Sequence, residues 1–226
     1  MKLCAVIPAY NSETTISEVV KKTKAEIDRV VVIDDGSTDD TARLAESAGA
    51  DVLKVPKNRG KGNALRLAFC HALKKKLDAI ITLDADLQHD PSDIPKFIKH
   101  YLTRGSRIVI GSRLTDKEKI PRIRYTVNKI GNYTFSWLIN QPVEDSQCGF
   151  RLYDRLVMGN FQILNDGFEA EADLLLRAGK RGYKIGFVPI KTIYFPDPQS
   201  RSYYRPVKDT FRISIIFLMN LFWKNR

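Results

Sequence analysis

The sequence predicts an α/β protein with a mixed, mostly parallel sheet and helices on both faces. Short apolar runs alternate with helical patterns through the first ~110 residues, and this order produces parallel strands joined by helical crossovers. Acids or glycines follow several of these runs, namely Asp34-Asp35-Gly36, Asp84-Ala85-Asp86 and Gly111. Because ligands bind beyond the carboxyl ends of parallel strands, these residues predict one crevice built from several strand ends.

Each element follows from its spacing and its boundary residues. Strands are predicted where apolar and β-branched residues run together, and helices where apolar residues recur every three or four positions. Asp39 or Asp40 is suited to cap a helix that ends near Gly49, and Gly105 stops a later one. The predicted strands are 3–7, 30–33, 52–55, 79–83, 107–110 and 184–190, and the other predicted helices are 14–26, 61–76, 92–102, 125–139 and 167–179.

Length and composition predict one compact domain, residues 1–205, followed by a distinct segment, residues 206–226. No stretch has the ~18 consecutive apolar residues that a membrane span needs, and no secretory signal pattern follows Met1. The three cysteines lack CxxC spacing, which favours reduced thiols in the cytosol. We therefore expect a cytoplasmic protein that is a monomer or a homodimer.

The segment 206–226 has the pattern of an amphipathic helix. Apolar residues recur at helical spacing and basic residues surround them, which is typical of a helix lying in a membrane interface. Packing on the domain or at a dimer contact is the alternative. The interfacial interpretation places the protein on the inner face of the membrane, as a peripheral protein bound to an anionic surface.

The net charge of +11 favours anionic partners: nucleic acid, phosphorylated substrates or an acidic membrane. The sequence has no recognised nucleic-acid-binding motif, and acids interrupt its basic residues. Nucleic acid is therefore not an expected partner.

Two carboxylates, Asp84 and Asp86, close the fourth predicted strand. Two acids facing one site repel each other unless a cation or a ligand lies between them, and hard oxygen ligands suit Mg²⁺ or Mn²⁺. If the segment stays extended, Asp84, Asp86 and Gln88 point to one side. A helix cap or turn is the alternative interpretation, and His89 is more simply a structural residue than a ligand.

Cationic residues occur at two further places that suit anions. Lys61 opens a predicted helix, whose free N–H groups favour a phosphate, although a solvated basic turn fits equally. Arg113 and Arg124 lie in the stretch 104–129, which has eight basic and two acidic residues. Arginine offers a planar fork for phosphate, whereas solvated loop charges are the alternative.

Three ordered motifs resemble the family 2 glycosyltransferases, which have the GT-A fold. They are Val6-Ile7-Pro8-Ala9-Tyr10-Asn11-Ser12-Glu13, Val32-Ile33-Asp34-Asp35-Gly36-Ser37-Thr38-Asp39 and Asp84-Ala85-Asp86-Leu87-Gln88-His89. Within this family, the chain is similar to the dolichyl- and polyprenyl-phosphate mannose or glucose synthases. Those further matches are Asn58-Arg59-Gly60-Lys61-Gly62, Gly111-Ser112-Arg113 and Asp145-Ser146-Gln147-Cys148-Gly149-Phe150-Arg151.

The resemblance implies roles for individual residues. It implies nucleotide binding by Pro8, Tyr10, Glu13, Asp35, Lys61 and Asp84. It implies a divalent cation, Mg²⁺ or Mn²⁺, at Asp84, Asp86 and Gln88. It also implies catalytic roles for Asp84, Asp86, Arg113, Arg124 and Asp145, with the two arginines holding the acceptor phosphate and Asp145 near the transferred sugar.

The implied reaction moves a hexose, glucose or mannose, from a nucleoside-diphosphate sugar to a polyprenyl phosphate, with inversion at the anomeric carbon. The alternative within the family is transfer to a saccharide hydroxyl in cell-surface polysaccharide synthesis. That reaction needs a base, for which Asp145, Glu169 or Glu171 is available. A sugar nucleotidyltransferase is disfavoured because the loop after the first strand lacks a Gly-rich phosphate-binding sequence.

Overall fold

The computed structural model describes residues 1–113, 122–191 and 193, and only the backbone over 122–128. It confirms the α/β class. Among the described residues, no helix is long and apolar enough to cross a membrane. The predicted helix over 206–226 and the domain boundary at residue 205 lie outside the described residues and stay predictions.

The elements alternate as predicted along the first half of the chain. The strands are β1 (Leu3–Ala9), β2 (Val30–Asp34), β3 (Asp51–Lys54), β4 (Ala79–Thr82), β5 (Ile108–Ser112), β6 (Arg151–Asp154) and β7 (Ile185–Pro189). The helices are α1 (Ile16–Glu26), α2 (Thr41–Ser47), α3 (Lys61–Lys74), α4 (Ile94–Arg104), α5 (Arg122–Ile139), α6 (Arg155–Asn160) and α7 (Glu169–Lys180), with a 3₁₀ turn at Pro91–Asp93 before α4.

The strands of the described chain form one sheet in the order β3-β2-β1-β4-β6-β5-β7. β6 runs antiparallel to β4 and β5, and the other neighbouring pairs are parallel. Every residue of β2, β4, β5 and β6 is buried. Because alternate residues of a strand point to opposite faces, both faces of the sheet must be covered.

The sequence did not predict β6 or α6. Arg151-Leu152-Tyr153-Asp154 is a four-residue strand that contains a buried arginine and a buried tyrosine, so it has no apolar run that would indicate a strand. α6 has six residues, fewer than helical periodicity needs to be visible. The Asp154 carboxylate caps this helix by accepting a hydrogen bond from Leu156 N–H at 2.7 Å.

The register brings the chemically interesting loops to one edge of the sheet. Ala9 pairs with Asp34, and Val6 pairs with Thr82, so the carboxyl ends of β1, β2 and β4 lie at the same edge, with β4 three residues shorter than β1 there. Arg151 pairs with both Thr82 and Ile110, so the antiparallel β6 begins where β4 and β5 end. The loops that follow β1, β2, β4 and β5 therefore meet the loop that precedes β6.

Candidate active site

Hydrogen bonds join the loops after β1 and β2. Asn11 N–H donates to Ser37 Oγ at 2.9 Å, and Asp40 N–H donates to Glu13 Oε2 at 3.2 Å. Asp39 accepts from Glu13 N–H at 3.1 Å and, through its other oxygen, from Thr41 N–H at 3.0 Å. Asp40 is the N-cap residue of α2 but makes no side-chain capping bond, so the Asp39 carboxylate supplies the acceptor at the start of this helix. Pro8 lies at the end of β1 and the half-buried Tyr10 follows it, which places these predicted nucleotide contacts beside Glu13.

Asp35 is the first residue after β2, in the same group of loops. Its Oδ2 accepts hydrogen bonds from Arg59 N–H at 3.0 Å and Gly60 N–H at 2.6 Å. Its Oδ1 is buried and, among the described residues, has no hydrogen bond of good geometry. Burial raises the pKa of this carboxyl, and the two N–H groups and Asn63 offset only part of that effect. Oδ1 is therefore suited to accept a donor from a ligand.

Lys61 connects two acids at the edge of the sheet. Its Nζ lies 2.7 Å from Asp84 Oδ1 and 3.3 Å from Glu171 Oε2, and its side chain is 13% exposed. Burial alone would lower the pKa of Lys61, but the negative charges of Asp84 and Glu171 outweigh it and raise the pKa. The interpretation of Lys61 as a solvated turn residue is therefore wrong.

The Gly149 backbone lies directly against this ion pair. A Cβ atom at position 149 would lie 2.6 Å from Asp84 Oδ2 and 2.6 Å from Lys61 Nζ, which is closer than real Cβ contacts allow. Thr82 fixes the approach because its hydroxyl donates to Gly149 O at 3.0 Å. The loop before β6 therefore needs a residue without a side chain at this point.

The pair Asp84 and Asp86 does not lie on an extended segment, as the alternation argument supposed. β4 ends at Thr82, a turn follows, and Leu87 adopts a left-handed conformation with φ of 62°. Asp86 Oδ1 accepts from Gln88 N–H at 3.0 Å, and the Gln88 carbonyl accepts from Ile193 N–H at 3.1 Å. The turn, not strand alternation, thus positions the three predicted metal ligands.

The donor set at this turn fits a hard divalent cation. Burial raises the pKa of Asp86, and the neighbouring charge of Asp84 raises it further, so a cation there would relieve the repulsion. No donor among the described residues is hydrogen-bonded to Asp86 Oδ2. The described chain has no cluster of three or more His, Cys, Asp or Glu side chains that could hold a metal. A cation at Asp86 would therefore complete its shell with ligand and water oxygens.

The His89 ring supports the turn that carries Asp84 and Asp86. Its Nδ1 accepts the Asp84 backbone N–H at 3.2 Å, and its ring packs on Phe150 with centroids 5.3 Å apart. Burial lowers the pKa of His89 despite the nearby charges of Asp84 and Asp86. Because Nδ1 accepts the Asp84 N–H, it has no proton to offer Asp84 Oδ2, and their 3.8 Å approach is not an ion pair. This geometry agrees with the structural role predicted for His89.

Arg113 and Asp145 form a two-pronged ion pair across the site from Lys61. Arg113 Nε donates to Asp145 Oδ2 at 2.6 Å, and Nη2 donates to Oδ1 at 2.9 Å. The same Oδ1 accepts the N–H groups of Gln147 and Cys148, each at 3.1 Å. Asp145 is thus fully engaged in shaping its loop and orienting Arg113.

Arg151 was missed as a site residue, although it lies in the quoted motif. It is 1% exposed and donates to three backbone carbonyls: Nε to Cys148 at 2.6 Å, Nη2 to Ser146 at 2.7 Å and Nη1 to Glu171 at 3.1 Å. It therefore ties the loop before β6 to the start of α7. A charged residue next to a short strand gives no sequence signal for such burial.

The structure brings together most of the predicted site. Asp84, Asp86, Lys61, Arg113 and Asp145 surround one edge of the sheet, with Asp35 and Glu13 on the β1–β2 side. The Arg124 side chain lies outside the described residues, and its backbone belongs to α5. The functional assignment of all these residues stays a prediction.

Comparison with known proteins identifies the class. The chain matches the Glycosyl transferase family 2 profile over residues 4–160, and it belongs to that family. It is a glycosyltransferase with a GT-A-like fold. A solved structure of glucosyl-3-phosphoglycerate synthase from Mycobacterium tuberculosis, with Mn²⁺, UDP and phosphoglyceric acid, superimposes with a TM-score of 0.75. It is 22% identical in sequence, and the match covers 99% of this chain and 78% of that chain.

Two relatives with assigned substrates are more similar in sequence. A dolichyl-phosphate hexose transferase of Haloferax volcanii is 34% identical over 200 residues, covering 83% of this chain and 81% of its own. The UDP-N-acetylglucosamine–dolichyl-phosphate N-acetylglucosaminyltransferase of Methanococcus voltae is 30% identical over 213 residues, with 84% of each chain covered.

Proposed function

We propose that this family 2 glycosyltransferase moves a hexose from a nucleoside-diphosphate sugar to a polyprenyl phosphate, with inversion at the anomeric carbon. One observation carries the choice of acceptor. Of the three carboxylates that could act as a base for a hydroxyl acceptor, Asp145, Glu169 and Glu171, two are already in ion pairs: Asp145 with Arg113 and Glu171 with Lys61. A phosphate acceptor is ionised near neutral pH and needs no base. The names of the two relatives support the same acceptor class.

The nucleotide would lie at the β1–β2 side of the site. Asp35 Oδ1 is a buried acceptor with no hydrogen bond from the described residues. A nucleobase or a ribose would supply the N–H or O–H group that it can accept. Pro8 and Tyr10 provide a flat wall, and Glu13 holds the two loops in register. Lys61 and Asp84 then lie on the path from the nucleoside to the transferred sugar.

Asp86 is the residue best placed to hold the divalent cation, Mg²⁺ or Mn²⁺, with Asp84 and Gln88 beside it. When bound, the cation would offset negative charge on the leaving diphosphate. Lys61 adds a fixed positive charge at the same edge of the sheet. Electrostatic stabilisation by groups already in place would therefore supply most of the catalysis.

Arg113 is the described residue best placed to bind the acceptor phosphate, because Asp145 fixes the plane of its guanidinium. Arg124 is proposed as the second phosphate ligand. Positioning the phosphate oxygen against the anomeric carbon is then the main task of the protein on the acceptor side. We propose that this occurs at the inner face of the membrane, with the enzyme bound peripherally as a monomer or a homodimer.

Two measurements identify the sugar donor and the acceptor independently. Thermal unfolding is measured with UDP, GDP and their hexose and N-acetylhexosamine derivatives, with and without Mn²⁺, because a ligand that binds the folded state stabilises it. The donor that stabilises most is then assayed with a short-chain polyprenyl phosphate and with free monosaccharides. Transfer to the lipid phosphate alone is expected. Transfer to a sugar hydroxyl with no transfer to the phosphate would overturn the proposal in favour of polysaccharide synthesis.

A further inference from the structure

Helix α5 has an exposed apolar stripe. Ile130, Tyr133 and Trp137 are spaced three and four residues apart, so they lie on one face of the helix. Their side chains are 63%, 76% and 66% exposed. Three large side chains exposed together on one helix face mark an interaction surface more often than isolated exposed apolar residues do.

The opposite side of α5 is already packed. Phe135 and Ile139 are 2% and 5% exposed, and Ile139 lies against Gly179 of α7. Asn132 holds the loop before β6, which carries Asp145. Its Oδ1 accepts Ser146 N–H at 2.9 Å, and its Nδ2 donates to Glu144 O at 2.6 Å. The helix therefore uses one side for the core and the loop that carries Asp145, and exposes a second apolar side.

The chemistry of the stripe and its surroundings favours a lipid surface over another protein. Tyr and Trp have an apolar ring and a polar tip, which suits the boundary between headgroups and acyl chains. Lys129 is exposed at the start of the stripe. The preceding segment, residues 114–128, has four basic and two acidic residues, so its sequence is net positive. An exposed lysine beside interfacial aromatic residues, in a chain of net charge +11, complements an anionic membrane.

We propose that the stripe Ile130, Tyr133 and Trp137 is a membrane-docking face that lies in the headgroup region of an anionic bilayer. Because Asn132 of the same helix holds the loop of Asp145, docking through this face would place the acceptor side of the site about one helix diameter, ~10 Å, from the lipid surface. The functional reason for this face rests on the proposed lipid-phosphate acceptor. The binding experiment below does not depend on that acceptor.

The chain provides its own reporter. It has two tryptophans, Trp137 and Trp223, so Trp223→Phe leaves Trp137 alone. Its emission is measured with vesicles of phosphatidylglycerol and phosphatidylcholine, with phosphatidylcholine vesicles, and with brominated acyl chains. No donor or polyprenyl phosphate is added. We expect a blue shift and bromine quenching on anionic vesicles, both weakened by salt because the attraction is screened.

Two results would overturn the inference. The first is Trp137 emission that anionic vesicles neither shift nor quench. The second is emission that is already blue without lipid and turns red when residues 206–226 are deleted or when the protein is diluted. In that case the stripe is covered by its own chain or by a second copy.

A substitution pair tests the same face by affinity. Tyr133→Ser with Trp137→Ser should weaken binding to anionic vesicles roughly tenfold or more, because two large apolar side chains no longer enter the headgroup region. Leu102→Ser is the matched control, because Leu102 is 63% exposed on α4. Equal binding by the double variant and the control would reject the docking face.

Activity distinguishes this inference from the proposed function. The double variant should transfer sugar to a water-soluble short-chain polyprenyl phosphate as the unmodified chain does, because neither residue contacts the site. If no polyprenyl phosphate is a substrate but Trp137 is still quenched by lipid, the proposed acceptor fails and the membrane face stands.

Discussion

Two neighbouring carboxylates, Asp84 and Asp86, have opposite electrostatic environments. Burial disfavours the charge on Asp84, but Lys61 and the other nearby cationic charge outweigh it and lower the pKa to about 2. Asp86 has no such partner, and burial together with the charge of Asp84 raises its pKa. Ionised Asp84 therefore stabilises the fold, whereas ionised Asp86 destabilises it until a cation binds.

Substitution of each acid by asparagine should therefore change stability in opposite directions. At pH 7, Asp86→Asn should raise the unfolding temperature because it removes a buried negative charge beside another. Asp84→Asn should lower it because Lys61 loses its nearest partner. Thermal unfolding without added metal measures both, and a stabilising Asp84→Asn would contradict the assignment.

The assignment of the cation to Asp86 predicts how its substitution changes activity. Asp86→Asn should reduce transfer at least ~100-fold, the usual cost of losing one stabilising group in the transition state, while the protein remains folded. The measurement is initial rate over a range of Mn²⁺ concentrations. Activity near that of the unmodified chain would show that Asp86 does not bind the cation.

Acid should remove the contribution of Asp84. Its folded pKa is below the ordinary value of about 3.9, so its stabilisation is present above that value and is lost as the pH falls from about 4 through its folded pKa. The difference in unfolding free energy between the unmodified chain and Asp84→Asn should therefore shrink across that window. A difference that stays constant down to pH 2 would show that the ion pair is not its source.

The close approach of Gly149 predicts a further effect at the residue scale. Gly149→Ala should displace Lys61 or Asp84 and weaken donor binding and transfer together. Gly159→Ala is the control, since within 4 Å its Cβ would meet Leu73 Cδ2 alone among the described residues, at 3.9 Å, and alanine is the better helix residue there. Donor affinity by calorimetry should fall for the first variant and stay unchanged for the second.

Individual residues were predicted where a motif surrounds them. Asp84, Asp86, Lys61 and Arg113 follow strands or open a helix, so topology brings them to one edge. The second ion-pair partner of Lys61 could not be predicted, because Glu171 lies 110 positions later on a helix whose placement no local pattern determines.

At the scale of elements, Arg151 connects β6, the loop before it and α7 through three carbonyls. Arg151→Lys should destabilise the protein by about 2–4 kcal/mol, since an ammonium cannot reproduce the planar arrangement of donors and buried carbonyls would lose their partners. Denaturant unfolding checks the prediction. A loss under about 0.5 kcal/mol would show that the loop holds its shape without this residue.

Element prediction succeeded where an apolar run or a clear apolar spacing marked the element, and it failed where neither was present. The eleven residues of α1 and the fourteen of α3 show clear apolar spacing, and both were found. The four residues of β6 were not, because its strand character comes from pairing with β4 and β5 rather than from its own composition.

At the scale of the whole molecule, the sequence predicts that residues 206–226 contribute to membrane binding. Their deletion should weaken sedimentation with anionic vesicles more than it weakens donor affinity, because the proposed donor site lies among the described residues that follow β1, β2 and β4. Sedimentation and calorimetry on the same truncated protein compare the two. Unchanged sedimentation would count against the interfacial helix.

The position of β6 in the sheet affects how the protein is assembled during synthesis. Among described strands, β5 bonds to β6 and β7 but not to β4. A chain emerging from the ribosome can therefore form β1 to β4 early, while β5 waits for partners made about 40 residues later. The half that carries the proposed nucleotide site would then be in place before the half that carries the proposed acceptor site. Early termination within α5 would leave β5 as an unpaired, aggregation-prone strand.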